Sequence, residues 1–316
     1  MSAVTARLPP CEHAVDCRAP GAEVPPYLPG CCGVCRAHYT PLVRARLAAA
    51  PPEAGLAENA ETRAHAEERV LAALCAVTCA VRSYGAEHVA LSFNGGKDCT
   101  VVLELLAAVD AGLVRALAAI VHYRPPDVLP AVDAFLAACA ARHGLALWEC
   151  ACAPRRADGR ASPLAACLAA TLRAFPAVRA VLLGTRNSDF ADARQRHASC
   201  FALTDVDRGW PRVMRVAPIV DWDHADVWRF LHAFGARRWC ALYNAGYTSL
   251  GAASDTRPNP ALYDAAAQCY RPAWTLADPA LERESRVPRH VPTPSVTPPP
   301  PAEKSPGNTP AASDTP

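Results

Sequence analysis

The chain has 316 residues, 51% of them hydrophobic, with 32 basic against 30 acidic side chains and a formal net charge of +2. That balance, without a run of like charge, argues against a nucleic-acid surface, and apolar stretches broken well short of about 18 residues argue against a transmembrane helix. The length suits one large α/β domain or two small ones, with ample material for a core. In chain order, residues 1–57 come first, rich in Pro, Ala and Cys with weak periodicity, and are read as a poorly ordered N-terminal extension. They hold Cys11, Cys17, Cys31, Cys32 and Cys35 with His13 and His38 nearby. Cys32-x-x-Cys35 has the spacing of half a zinc site, which Cys11 or Cys17 with His38 would complete. No clean second C-x-x-C follows, so the sequence favours an extension without resident zinc. Cys75, Cys79, Cys139 and Cys167 sit singly in helix- or strand-like segments and read as small core residues of a reducing compartment. The start, Met-Ser-Ala-Val-Thr-Ala-Arg, has no signal-peptide core, and early acidic residues do not suit a transit sequence. A cytoplasmic protein is expected, with a mitochondrial pool left open.

The folded body is expected over 58–286. A helix is predicted for Asn59–Tyr84 from the stripe Val70, Leu71, Leu74, Val77, Thr78 and Val81, with Gly85 as its C-cap. A buried strand follows at His88–Phe93, then Asn94-Gly95-Gly96-Lys97-Asp98 and a helix over Cys99–Val109. Strands at Leu117–Tyr123, Leu145–Cys150 and Arg179–Leu183 alternate with helices at Asp127–His143 and Pro163–Ala174, which predicts a mostly parallel, doubly wound sheet with helices on both faces. The tail 287–316, running through Pro298-Pro299-Pro300-Pro301, has too few large apolar residues to fold and is read as disordered.

Ligands of such sheets sit beyond the carboxyl ends of the strands, and three loops there carry chemistry. At Ser92–Asp98, paired glycines let the backbone turn sharply and present helix N–H groups to phosphate oxygens, Lys97 adds a mobile positive charge, and Asp98 suits magnesium. A plain tight connection has the same pattern, and neither G-x-x-x-x-G-K-[ST] nor G-x-G-x-x-G is present. The second loop holds His122, Tyr123, Arg124 and Pro125-Pro126. In the third, Gly184-Thr185-Arg186-Asn187-Ser188-Asp189, a glycine precedes an Arg and an Asp emerging from a buried strand, where an ordinary surface ion pair is the alternative.

The segment Ser92-Phe93-Asn94-Gly95-Gly96-Lys97-Asp98-Cys99 resembles the S-G-G-x-D-S loop of enzymes that split ATP between its α- and β-phosphates, in the form S-F-N-G-G-K-D-C of the eukaryotic-type FAD synthases. Further elements of that family follow in register. These are Gly184 to Asp189 for G-[TVI]-R-x-x-D, Gly209 to Trp222 for G-W-P-x-x-M-R-V-x-P-I-x-D-W, and Val227-Trp228-x-Phe230-Leu231 on a helix over Asp223–Phe234. Gly246 to Gly251, Asn259 to Leu262, Tyr270 to Trp274 and Leu281 to Arg286 complete the set. Phe190 stands where the family has Pro, residues 191–200 are divergent, and two extra residues precede Gly209. Trp210 and Trp222 serve equally well as core.

The resemblance implies a PAPS reductase-like fold of the adenine nucleotide alpha hydrolase-like type in single-domain form. It also implies magnesium-dependent transfer of AMP from ATP to FMN, giving FAD and pyrophosphate, with apo-flavoproteins as clients and no nucleic-acid or membrane partner. It assigns Asn94, Asp98, Arg283 and Arg286 to catalysis and Ser92, Phe93, Asn94, Gly95, Gly96, Lys97, Asp98 and Gly184 to ATP. Arg186, Asp189 and Trp222 fall to the flavin, and Asp98 to magnesium. The alternatives are a thiol-dependent PAPS reductase, whose E-C-G-x-H type segment is not found, a tRNA-modifying ATP pyrophosphatase, and a non-catalytic nucleotide or flavin sensor.

Overall fold

The computed structural model describes residues 3–15, 17, 30–54, 59–152, 163–190, 199–235 and 238–286; the tail from 287 and most of the divergent insert, 191–198, lie outside the described residues. Six strands form the main sheet: β1 (Val89–Ser92), β2 (Ala119–Arg124), β3 (Leu147–Ala151), β4 (Ala180–Leu182), β5 (Phe201–Leu203) and β6 (Met214–Val216). Their spatial order is β3-β2-β1-β4-β6-β5, and every neighbouring pair is parallel except β5 with β6. The helices are α1 (Ala3–Arg7), α2 (Gly33–Ala48), α3 (Ala60–Tyr84), α4 (Lys97–Val109), α5 (Leu113–Ala116), α6 (Pro130–His143), α7 (Pro163–Ala174) and α8 (His224–Phe234).

Residues alternate between two cores, as strands covered on both faces require. Val89, Leu91, Ile120, Ala180 and Leu182 pack into a large cluster with α3, α4 and α8, whereas Ala90, Val121 and Val181 face Leu168 and Leu172 of α7. Each fully buried large aliphatic side chain contributes about 1.5–3 kcal/mol. The chain runs outward from β1 through β2 to β3, then returns on the other side of β1 as β4. The carboxyl ends of β1 and β4 therefore flank the point where strand order reverses, which is where open α/β sheets bind ligands.

The poorly ordered extension expected for 1–57 is corrected at residues 33–48. These form α2, which buries Cys35, Tyr39, Val43 and Leu47. The Tyr39 hydroxyl donates to Thr78 Oγ1 on α3 (2.7 Å), and that hydroxyl in turn donates to Leu74 O (2.8 Å). A stripe at spacing four was present in the sequence but hidden by its makeup, one Cys, one Tyr and Pro41 inside the helix. Helix α4 likewise begins at Lys97, two residues before the expected Cys99, which puts Lys97 and Asp98 in its first turn.

Because α2 shares the main core, Tyr39→Ala should cost about 3–5 kcal/mol of unfolding free energy and Tyr39→Phe about 1 kcal/mol. Urea unfolding followed by circular dichroism reads both; a Tyr39→Ala midpoint equal to wild type would mean that α2 does not stabilise the body.

Candidate active site

Phe93 prolongs β1, its N–H donating to Val121 O (2.8 Å) and its ring fully buried. The chain then turns through Asn94, Gly95 and Gly96 into α4, with Gly95 at φ +75°, a left-handed conformation that glycine adopts without strain. Asn94 Oδ1 closes the turn by accepting from Gly96 N (3.0 Å) and Cys99 Sγ (3.0 Å). Burial pushes the Cys99 thiol up to about 12, so it is a neutral donor that rigidifies the turn. From β4, Gly184 approaches the same turn so closely that a Cβ there would stand 2.6 Å from Asp98 C and Cys99 N. Only glycine lets the chain leaving β4 pack against the first turn of α4.

Around this junction lies a buried charge cluster. Lys97, 2% exposed, places Nζ 3.1 Å from Asp98 Oδ2 and 2.6 Å from Glu282 Oε1. Arg186, 1% exposed, pairs through Nε with Asp98 Oδ1 (2.9 Å) and through Nη2 with Glu282. His224 Nδ1 stands 3.4 Å from Glu282 Oε2. Asp189 Oδ2 accepts from Arg186 N (2.9 Å), and its Oδ1 accepts from Arg283 Nη1 (3.2 Å). Burial opposes charge on Glu282, but Lys97, His224 and Arg186 outweigh it and hold the carboxyl well below the usual carboxylate range. Burial likewise opposes charge on Arg186, and Asp98 and Glu282 more than compensate. Tyr243, its hydroxyl held neutral by burial with Asp98 reinforcing the effect, accepts the Lys97 backbone N–H at 2.7 Å.

Beyond the cluster opens a cavity of about 650 Å³. Asn94, Arg283, Arg286 and Asp255 supply polar walls, while Pro125, Pro126, Val128, Val132, Leu164 and Leu250 supply apolar ones. Residues 279–285 form a 3-10 helix that delivers Arg283 and Arg286. Thr248 and Asn259, both fully buried, anchor it: Thr248 N donates to Ser285 Oγ (2.8 Å), Thr248 Oγ1 to Glu282 O (2.6 Å), and Asn259 Nδ2 to Leu281 O (2.8 Å). Arg286 donates to Leu250 O (2.7 Å) and Asp255 Oδ2 (3.0 Å). A Cβ on Gly251 would fall within 2.2 Å of that guanidinium carbon.

Of the residues singled out from sequence, the structure brings Asn94, Gly95, Gly96, Asp98, Gly184, Asp189, Arg283 and Arg286 to one end of the sheet, with Ser92 at the base of the turn. Three expectations are corrected. Lys97 is not a mobile charge, because the buried carboxylate of Glu282 and the partly exposed one of Asp98 fix it. Arg186 is enclosed by carboxylates and does not line the cavity. Trp222 is core, packed edge-on against Phe230 with ring centroids 5.6 Å apart. Glu282, Tyr243 and His224 were missed; Glu282 lay inside the L-E-R-x-x-R element, immediately before the first of the two arginines noticed for their charge.

The family profile described as phosphoadenosine phosphosulfate reductase domain matches residues 88–258, from the start of β1 past Gly251. A probable FAD synthase of Schizosaccharomyces pombe is 33% identical over 227 residues, covering 70% of this chain and 79% of that protein. A probable FAD synthase of Caenorhabditis elegans is 35% identical over 212 residues, 65% of this chain but 38% of the nematode protein, so the chain spans well under half of that longer relative. Among solved structures, Candida glabrata FMN adenylyltransferase superposes with a TM-score of 0.65 at 22% identity, covering 80% of this chain and 96% of that one. Its complex with FMN and an ATP analogue superposes at 0.63. The matched profile spans both the turn and the switch point, and the chain belongs to the eukaryotic-type FAD synthases, nucleotidyltransferases built on the phosphoadenosine phosphosulfate reductase domain.

Proposed function

We propose that this site joins FMN to ATP, the FMN phosphate attacking the α-phosphorus in line while pyrophosphate leaves and FAD forms. The observation that carries the reading is the meeting, over one cavity, of Asn94 at the head of the glycine turn with Arg283 and Arg286. Two anions must approach each other, so positioning and charge neutralisation supply most of the acceleration, with little need for a protein nucleophile. The planar forks of Arg283 and Arg286 suit phosphate oxygens. Asn94, Gly95 and Gly96 take the triphosphate, the apolar walls take the base, and Asp189, oriented by two donors, takes the N–H edge of the flavin. Phe93, Lys97, Gly184 and Arg186 act as the frame that positions these groups.

Magnesium fits as a passenger of the nucleotide. Asp98 is partly exposed but already compensated by Lys97 and Arg186, and among the described residues no carboxylate group of three or more assembles beside it. One such carboxylate with substrate phosphates is the usual arrangement for this ion, which when bound would draw charge from the phosphates. No described helix is long and apolar enough to cross a membrane. Fifteen cysteines without a disulfide support a reducing compartment, the cytoplasm.

Purified protein with FMN, ATP and magnesium should yield FAD and pyrophosphate in equal amounts by chromatography, and Asp98→Ala, checked for folding by circular dichroism, should lose that activity. A folded wild type that binds ATP without making FAD would overturn the proposal.

Arg283→Ala should lower kcat/KM by about 1.5–3 kcal/mol, roughly 10- to 150-fold. Gly251→Ala should fold normally, since the displaced Arg286 side chain is flexible, yet raise KM for ATP. Unchanged steady-state constants in both would remove the two arginines from the site.

Glu282, ordinarily at 4.5, is depressed in the folded protein. Its stabilisation is therefore complete above about pH 4.5 and declines below, as the unfolded chain takes up the proton first. Wild-type stability to urea should fall between pH 5 and pH 3, and that of Glu282→Gln should fall less steeply; parallel slopes would contradict the assignment.

A further inference from the structure

Away from the cavity, four cysteines from three segments converge. The Sγ atoms of Cys11, Cys32, Cys35 and Cys75 all lie within 4.8 Å of one another, and all four residues are buried. Cys11 Sγ is 3.9 Å from Cys32 Sγ and 3.8 Å from Cys75 Sγ. We propose that these four cysteines bind one zinc ion as a structural site, independent of the adenylyltransferase reading.

The spacing is the first argument. Four thiolates at about 2.3 Å from a tetrahedral ion stand about 3.8 Å apart, and the Cys11–Cys32 and Cys11–Cys75 separations match that edge. A disulfide needs sulfurs about 2.05 Å apart, and all four cysteines are free thiols. An iron–sulfur cluster, whose thiolates are shared among separate irons, spreads its ligands further.

The second argument is the local backbone. Cys32 is the N-cap of α2 and its sulfur accepts the Cys35 N–H at 3.4 Å; the Cys32 N–H in turn donates to Cys75 Sγ at 3.5 Å. Amide donors and a helix N-terminus aimed at sulfur favour the thiolate that a metal requires. Full burial leaves no open coordination position, which marks a structural rather than a catalytic centre.

The ligand set differs from the one the N-terminal spacing suggests. His38 instead packs edge-on against Tyr39, and Cys17 N donates to Ser83 O. The ligand that completes the set, Cys75, comes from the middle of α3, 43 residues beyond Cys32. The ion would thereby fasten the Cys11 segment and the start of α2 to the helix that packs behind α4 and the active-site turn.

Full-length protein purified from zinc-supplemented cells should carry one zinc per chain by plasma mass spectrometry, released by an organomercurial in step with thiol titration. Cobalt exchange should give the thiolate charge-transfer and intense ligand-field bands of a tetrahedral four-sulfur site. Cys11→Ser and Cys35→Ser should reduce the metal from one per chain to none, and Cys269→Ser, exposed and outside the cluster, should retain it. If the cluster variants do not fold, the wild-type stoichiometry and cobalt spectrum decide. Wild type without stoichiometric zinc, an intact mass short by two hydrogens per bridge, or an iron–sulfur chromophore would each overturn the proposal.

Discussion

The rest of the site hangs on one buried carboxylate. Glu282 sits between Lys97 of the first turn of α4, Arg186 of the loop after β4, and His224 at the start of α8. Burying these charges is costly, and the cost is recovered only when every partner is in place. Deleting one partner leaves the others uncompensated in the interior. The cluster therefore acts as an all-or-none joint between four segments far apart in the chain, and Arg283 reaches the cavity because its neighbour is locked in that joint.

Seen this way, the family elements divide by physical role. Gly184 and Gly251 make room, one for a backbone and one for a guanidinium. Thr248 and Asn259 satisfy backbone carbonyls of the arginine-bearing helix, and Ser285 of that helix accepts the Thr248 N–H in return. Asn94 closes its own turn. Few of these residues need to touch a substrate; most hold the few that do within the tolerance that in-line transfer requires.

Much of this was legible in the sequence. The central strands and their helices declare themselves because strands buried on both faces read as short apolar runs between helical stripes. The turn at Asn94–Asp98 was visible through its glycines. What stayed hidden follows from length and pairing. β5 and β6 have three residues each, too few for a period of two to register. The α2 stripe was masked by Cys and Tyr at its buried positions. Lys97 and Arg186 looked available because charged residues after a strand usually face solvent, and only the fold reveals that Glu282, nearly a hundred positions beyond Arg186, claims them both. Trp222 illustrates the converse, an aromatic residue beside functional ones that is there to fill the core.

The sequence distance between Glu282 and its partners also sets a timetable. During synthesis the sheet, α4 and the loop after β4 emerge well before residues 279–286, so in the nascent chain Lys97 and Arg186 share Asp98 but lack Glu282 until nearly all of the domain has left the ribosome. Closing a joint across so many residues is entropically the slowest kind of contact to make. The end of the sheet that carries the candidate site is thus the last part of the domain to set, because the carboxylate that holds it together is the last of its members to arrive.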